Sequence, residues 1–361
     1  MKVGACLGWQ NPGRARPDAD VWADEMRFID MVEPLGFESL WCTEHHFSNY
    51  QIIPDPLQLL SYAAGRTTHI NLASMAVIAP WHDPVRLAEQ VLMLDQLSGG
   101  RFLVGIGRGL GRNEFEGLRI PMGEARQRFR EMGEILNQAL ETGEVGYHGE
   151  IFNIPSRQVR PLPSRSFTGR KYAAVTSADT LPIAAELGCG LLSVLQKPWK
   201  NLARDIVAYR DMFVGFHGFE PPDFVASSFV ICDADPVKAR DLAHEFIANR
   251  YYQSLVEHYE LTSSHFTTTP GYEQYSKNSE ALNQHGTEAA GMAFMDQQVW
   301  GTPADCIEKA LALRDHVGCN RLNANLGFAG MTWDHYEANA VLFARQVLPT
   351  LQRDEALPKA N

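Results

Sequence analysis

Residues 71–109 read NLASMAVIAPWHDPVRLAEQVLMLDQLSGGRFLVGIGRG. A short apolar run from Leu72 to Pro80 has the length of a strand, residues 84–97 follow with a helical pattern, and after Ser98-Gly99-Gly100 a second run starts at Arg101 and ends in Gly105-Ile106-Gly107-Arg108-Gly109. Strand, helix, strand in that order is a parallel pair joined by a crossover helix. The same alternation runs outward in both directions. Strand candidates begin near Lys2, Ser39, Ile70, Arg101, Tyr172, Gly190, Phe224 and Asn320, with helical stretches at about 20–35, 57–65, 84–97, 124–141, 180–188, 198–214, 236–260 and 333–351. Eight such units in a chain of 361 residues predict an α/β fold closed into a (β/α)8 TIM-like barrel rather than an open sheet.

Three segments break the rhythm and are expected as insertions at the C-terminal face of the barrel or its rim. Residues 107–123 read as a Gly-rich loop, residues 143–168 as an extended excursion with three prolines, and residues 262–301 as a long irregular stretch rich in Ser, Thr, Asn, Gln and Gly. A loop of that last length is usually functional or disordered. No repeat, low-complexity tract or linker divides the chain, so residues 1–361 are read as a single domain.

Composition narrows the function. Lys+Arg number 32 against Asp+Glu 43, a formal net charge of −11, which disfavours nucleic acid and anionic lipid as partners. With 45% hydrophobic residues a large core can be buried. The opening MKVGACLG lacks the regions of a signal peptide and reads as a first strand, and no apolar run reaches the ~20 residues needed to cross a bilayer. The six cysteines are scattered without a C-x-x-C pair, as expected of reduced, buried thiols in a cytoplasmic protein.

In such barrels catalytic groups sit at the C-terminal ends of strands and in the loops that follow. The second strand ends in Glu44-His45-His46. Alternation along a strand would turn the two imidazoles to opposite faces, so a shared metal ion is not expected and the metal assignment is none. Each histidine could be structural, but a strand end opening into the mouth suits an acid/base imidazole. The third strand carries Ala73, Ser74 and Ala76, small enough for a flat ligand to approach the backbone or simply for tight packing. Around Arg108 the GIGRG sequence has neither Walker nor dinucleotide spacing; it places one guanidinium at a strand end, suited to a bidentate phosphate contact or to a structural ion pair. The fifth strand runs into Thr176-Ser177-Ala178-Asp179-Thr180, whose hydroxyls at a helix start could bind phosphate or cap the helix, with Asp179 expected to cap.

Taken together, SLWCTEHHF (39–47), APWHDPVRLAEQVLMLDQLSGGRFLVGIGRG (79–109), AAVTSADT (173–180) and WGTPADCIEKA (300–310) resemble the bacterial luciferase-like flavin monooxygenases over nearly the whole chain. The second segment is the most specific. The resemblance is closer to the catalytic α-subunit type than to the coenzyme F420-dependent branch. It implies a TIM-like barrel using FMN as FMNH2, with O2 as co-substrate, through a C4a-peroxyflavin that oxygenates a small organic substrate such as an aldehyde or ketone. By matched position Arg108, Thr176, Ser177 and Thr180 would hold the FMN phosphate, Met75-Ala76 would form a non-proline cis peptide beside the flavin ring, and His45, with Glu44 close by, would be catalytic. Residues 262–295 match a mobile active-site loop. A separate NAD(P)H:flavin reductase would supply FMNH2, and a homodimer is implied. Departures are Gly107 where luciferases carry a reactive thiol, and Val194 and Arg250 where tryptophans line the pocket, which argues against light emission. Two rival readings are an F420-dependent hydride-transfer oxidoreductase on the same fold and a non-catalytic flavin-binding partner subunit.

Overall fold

In a computed structural model, which describes residues 1–175 and 177–353, eight strands close into a parallel barrel. They are β1 (Lys2–Cys6), β2 (Ser39–Cys42), β3 (Asn71–Ser74), β4 (Phe102–Gly107), β5 (Lys171–Ala174), β6 (Gly190–Val194), β7 (Val225–Cys232) and β8 (Arg321–Asn325). Every start lies within one residue of its expected place. Neighbours pair in chain order, and closure is made by β8 against β1, with Ala5 opposite Ala324, and by β7 bridging Leu192 of β6 and Arg321 of β8 through Val225. All eight residues of β7 and all six of β4 are buried, the continuous burial of parallel strands covered on both faces. Inside the barrel Cys6, Trp41, Ala73, Leu103, Tyr172, Leu192 and Val225 pack together. Outside it, a larger core joins the strands to helices such as Asp18–Val32, Pro84–Leu97 and Ala125–Thr142.

The helices begin on a recurrent local signal. Asp55-Pro56, Asp83-Pro84 and Asp235-Pro236 each put a carboxylate on free backbone N–H groups of the first turn and a proline where no N–H is needed. Thr302-Pro303 does the same through a capping box with Asp305, and starts the helix Pro303–Val317, which the sequence reading did not anticipate.

The three interruptions are more ordered than expected. Residues 143–168 hold an antiparallel hairpin, Glu144–His148 with Asn153–Gln158. The stretch 107–123, read as loop, contains the helix Arg112–Leu118. The stretch 262–301, read as irregular, contains helices His265–Thr268, Gln274–His285 and Thr287–Asp296. Tertiary packing overrides its weak helix propensity, because Phe266 and Tyr272 bury against Phe115 and Ala125, and Phe294 and Met295 join an aromatic cluster with Phe229 and Tyr251. The expected helix at 236–260 is a continuous run whose middle, His244–Tyr251, is π-helical. Among the described residues no helix is long and apolar enough to cross a membrane.

Candidate active site

The expected residues gather at the C-terminal ends of the strands. Just beyond β3 the Met75–Ala76 peptide is cis. Beside it, β4 runs bare: a Cβ on Gly105 would lie 2.1 Å from Ser74 O, and one on Gly107 would meet Ile78 Cδ1 at 3.0 Å and Ala76 Cβ at 3.3 Å. Glycine at these positions lets β4 lie close to the residues on both sides of the cis bond. A side chain at Gly107, where luciferases carry a thiol, would need Ile78 to give way.

The two histidines after β2 go to different carboxylates. The strand ends at Cys42, so alternation does not separate them as expected; hydrogen bonding does. His45 Nδ1 lies 3.0 Å from Glu114 Oε1, and the backbone N–H of His46 donates to the same oxygen at 2.9 Å. His46 Nε2 lies 3.2 Å from Glu44 Oε1, which also accepts from His82 Nε2 at 2.8 Å, while the Ile78 N–H donates to Glu44 Oε2 at 2.8 Å. Glu44, expected close by His45, ties β2 to the chain after the cis bond, and Glu114 holds His45.

Glu114 comes from the helix that was read as loop, and it also faces His258, whose Nε2 stands 3.4 Å from Glu114 Oε2. His258 Nδ1 bonds the Ser48 hydroxyl at 2.9 Å and its ring stacks on Tyr50 at 4.6 Å. Burial opposes ionisation of both carboxyls, but the neighbouring histidines hold Glu114 and Glu44 below the ordinary carboxylate range. Burial pushes His258 down, so its imidazole is neutral, whereas for His82 the Glu44 carboxylate overcomes burial and raises it.

Arg108 is 6% exposed and donates from Nη1 to Gly271 O at 3.1 Å, with its guanidinium 4.2 Å from the Tyr272 ring. Tyr272 Oη donates to Gly109 O at 2.9 Å. Arg126, which sequence reading missed, reaches the same Gly271 oxygen at 3.4 Å and Asp179 at 2.9 Å. Its Nε is buried without a partner among the described residues. Asp179 pairs with Arg126 instead of capping the helix as expected. Ser177 Oγ and Thr180 Oγ1 are buried 2.9 Å apart, and Thr176 lies outside the described residues. Two guanidinium groups meet on one carbonyl oxygen, and Arg126 reaches through Asp179 to the turn that carries the two hydroxyls; these are donor types that could hold a phosphate. The replaced tryptophan positions are unremarkable: Arg250 is an exposed partner of Glu245, and Val194 packs beside the aromatic cluster.

The sequence compares directly with known proteins. A family model described as luciferase-like monooxygenase matches residues 1–318. The alkanal monooxygenase alpha chain of Aliivibrio fischeri is 27% identical over 361 residues, covering 98% of this chain and 99% of that one. Among solved structures, the monooxygenase RslO1 from Streptomyces bottropensis superposes with a TM-score of 0.81 at 24% identity, covering 97% of this chain and 99% of that one. The oxygenating constituent of 3,6-diketocamphane monooxygenase from Pseudomonas putida, solved with FMN, gives 0.71 at 19% identity over 97% and 98% of the two chains. An F420-dependent secondary alcohol dehydrogenase gives 0.71 at 14% identity over 97% and 99%. The solved structures bear on the fold, and the family match over most of the chain settles its kinship: this chain belongs to the luciferase-like monooxygenases and is an oxidoreductase.

Proposed function

We propose that the chain is an FMN-dependent monooxygenase that takes FMNH2 from a separate NAD(P)H:flavin reductase and uses O2 to oxygenate a small organic substrate, an aldehyde or a ketone. The observation that carries this reading is the pair of chemically distinct side-chain groups that follow the strand ends, the two halves of the site. One half, Arg108 and Arg126 with Ser177 and Thr180, offers cationic and hydroxyl donors to a phosphate. The other half presents His45, held by the ionised Glu114, as a proton-handling group. Thr176 belongs to the phosphate half by its place in the sequence. The small side chains Ala73, Ser74 and Ala76 at the cis Met75–Ala76 bond support a flat ring system in that place.

Bound reduced flavin would supply the electrons that activate O2; the chain's own residues bind, orient, exclude water and move protons. Glu114 accepts from His45 Nδ1 and fixes the ring, leaving Nε2 free to give or take a proton. The segment 262–295 lies over the phosphate half through Gly271 and Tyr272, and we assign it the role of a mobile lid that keeps water from the reacting centre. Full-length similarity to a luciferase alpha chain favours FMN and O2 over hydride transfer with F420. His45 at the mouth argues against a purely structural subunit.

The test compares His45→Ala with His46→Ala in a reductase-coupled assay. His45→Ala should keep FMNH2 binding and lose ~10²–10⁴-fold in product formation while H2O2 release persists. His46→Ala should chiefly lower the melting temperature, because it loosens the Glu44 tie. An unchanged ratio of product to H2O2 in His45→Ala would remove the catalytic assignment.

A further inference from the structure

We infer that His45, Glu114 and His258 form a preorganised site for one divalent transition-metal ion of the zinc class. One donor atom from each of the three lies within 4.8 Å of the others. The His45 Nδ1–Glu114 Oε1 separation is 3.0 Å and the His258 Nε2–Glu114 Oε2 separation is 3.4 Å. A tetrahedral ion held at about 2.0–2.1 Å by nitrogen and oxygen donors sets those donors roughly 3.3 Å apart. Each imidazole already stands near one oxygen of the Glu114 carboxylate, and the three donors have to draw together from within 4.8 Å to meet on one ion.

A second observation points into the same space. Glu114 Oε2 and His258 Nε2 are both buried; they face each other at 3.4 Å, outside good hydrogen-bond geometry, and neither has another partner among the described residues. The side chains of Glu114 and His258 are 1% and 2% exposed. Buried polar atoms left like this are costly unless something satisfies them. The outer contacts are those of a metal site: the Ser48 hydroxyl holds His258 Nδ1 at 2.9 Å and leaves Nε2 for the ion, and the His46 N–H steadies Glu114 Oε1. The second carboxylate cluster, Glu44 with His46 and His82, lacks this feature, because hydrogen bonds from Ile78, His46 and His82 already occupy both of its oxygens.

Two imidazoles and one carboxylate select Zn2+, Co2+ or Ni2+ over Mg2+ and Ca2+, with water completing the coordination. The ion would take His45 Nδ1, which puts the imidazole proton on Nε2 and leaves that nitrogen unable to accept another. Resting on the proposed role of that residue, loaded protein would therefore lose oxygenation while still binding FMN.

The experiment titrates full-length, metal-free, flavin-free protein with Zn2+ by calorimetry and with Co2+ by visible absorption. One saturable ion per chain is expected, with the intense bands of a four- or five-coordinate Co2+ site. Glu114→Gln and His258→Ala should weaken binding by more than tenfold, and Ser48→Ala, which leaves all three ligands in place, by ~10-fold. Circular dichroism reports whether each variant folds. Absence of saturable binding to the wild type, or binding that Ser48→Ala and His258→Ala leave unchanged, would overturn the assignment. Both readouts are independent of turnover, so a failure of the monooxygenase reading and a failure of the metal site remain distinguishable.

Discussion

Replacing Arg108 by alanine should weaken FMN far more than riboflavin. The guanidinium is buried, no carboxylate among the described residues pairs with it, and its hydrogen-bond acceptor is the neutral Gly271 carbonyl at 3.1 Å. A phosphate in its place would convert that contact into charge-assisted bonds worth about 1.5–3 kcal/mol each, two of them if the fork engages bidentately. Part of this gain is offset by the Gly271 bond and by any loss of the Tyr272 ring contact, itself worth ~0.5–2 kcal/mol. A net loss of about 2–4 kcal/mol remains, or roughly 30- to 1,000-fold in Kd. Riboflavin has the ring and ribityl chain without the phosphate, so its affinity should change little. Arg108→Lys should recover part of the FMN affinity as a point charge. Arg126→Ala should cost about 1 kcal/mol, since its side chain is 41% exposed and already paired with Asp179. Fluorescence titration of each variant with both ligands decides the matter. Equal losses for FMN and riboflavin would mean that Arg108 only anchors Gly271 and Tyr272, and the phosphate assignment would fall.

Other consequences follow from the same geometry. Glu114 is held down to about 2 from an ordinary 4.5, so it stabilises the fold above pH ~4.5, and that contribution disappears as pH falls through the folded value. Glu114→Gln should therefore lose less melting temperature than the wild type between neutral pH and pH ~3; parallel curves would contradict this. His82 is raised, so its contribution is complete below its unfolded value of 6.5 and is lost as pH rises through its folded value; His82→Gln should remove that alkaline decline. Tyr62, Met93 and Leu97 leave apolar surface exposed on the helices Pro56–Ala64 and Pro84–Leu97, and we expect a homodimer through this face; light scattering of a monomer at micromolar concentration would refute it. Proteolysis within 262–295 should slow when FMN and substrate are present, and cutting that neither ligand affects would leave the segment a passive cover.

The barrel was legible because short buried runs alternate regularly with helical stretches along the chain, and three of the helices open on Asp-Pro. What escaped had weaker local signals. The capping box Thr302-Pro303-Ala304-Asp305 announced a helix that was passed over in favour of the irregular stretch before it. The Arg112–Leu118 helix follows three closely spaced glycines, Gly107, Gly109 and Gly111, and so read as loop; with it Glu114, the partner of His45, was missed. His258 lies on the same helical face as Tyr251 and Leu255, at spacings of seven and three residues, and a histidine on an apolar face carries no local mark of its role. Glu44 is the carboxylate next to His45 in sequence; the fold sends it to His46 and His82 and brings a carboxylate 69 residues away to His45. Strand-end positions could be read from sequence, whereas the choice between two nearby carboxylates depended on where β2 stops.

The most direct test of the proposed chemistry is the fate of isotopically labelled oxygen. Wild-type protein would be supplied with FMNH2 by a separate flavin reductase under 18O2 and offered a panel of aldehydes and cyclic ketones. At least one product should gain one labelled oxygen atom, with O2 consumed in proportion to product, and reduced F420 should not replace FMNH2. Substrate oxidation that proceeds with F420 and without oxygen uptake would contradict the monooxygenase reading.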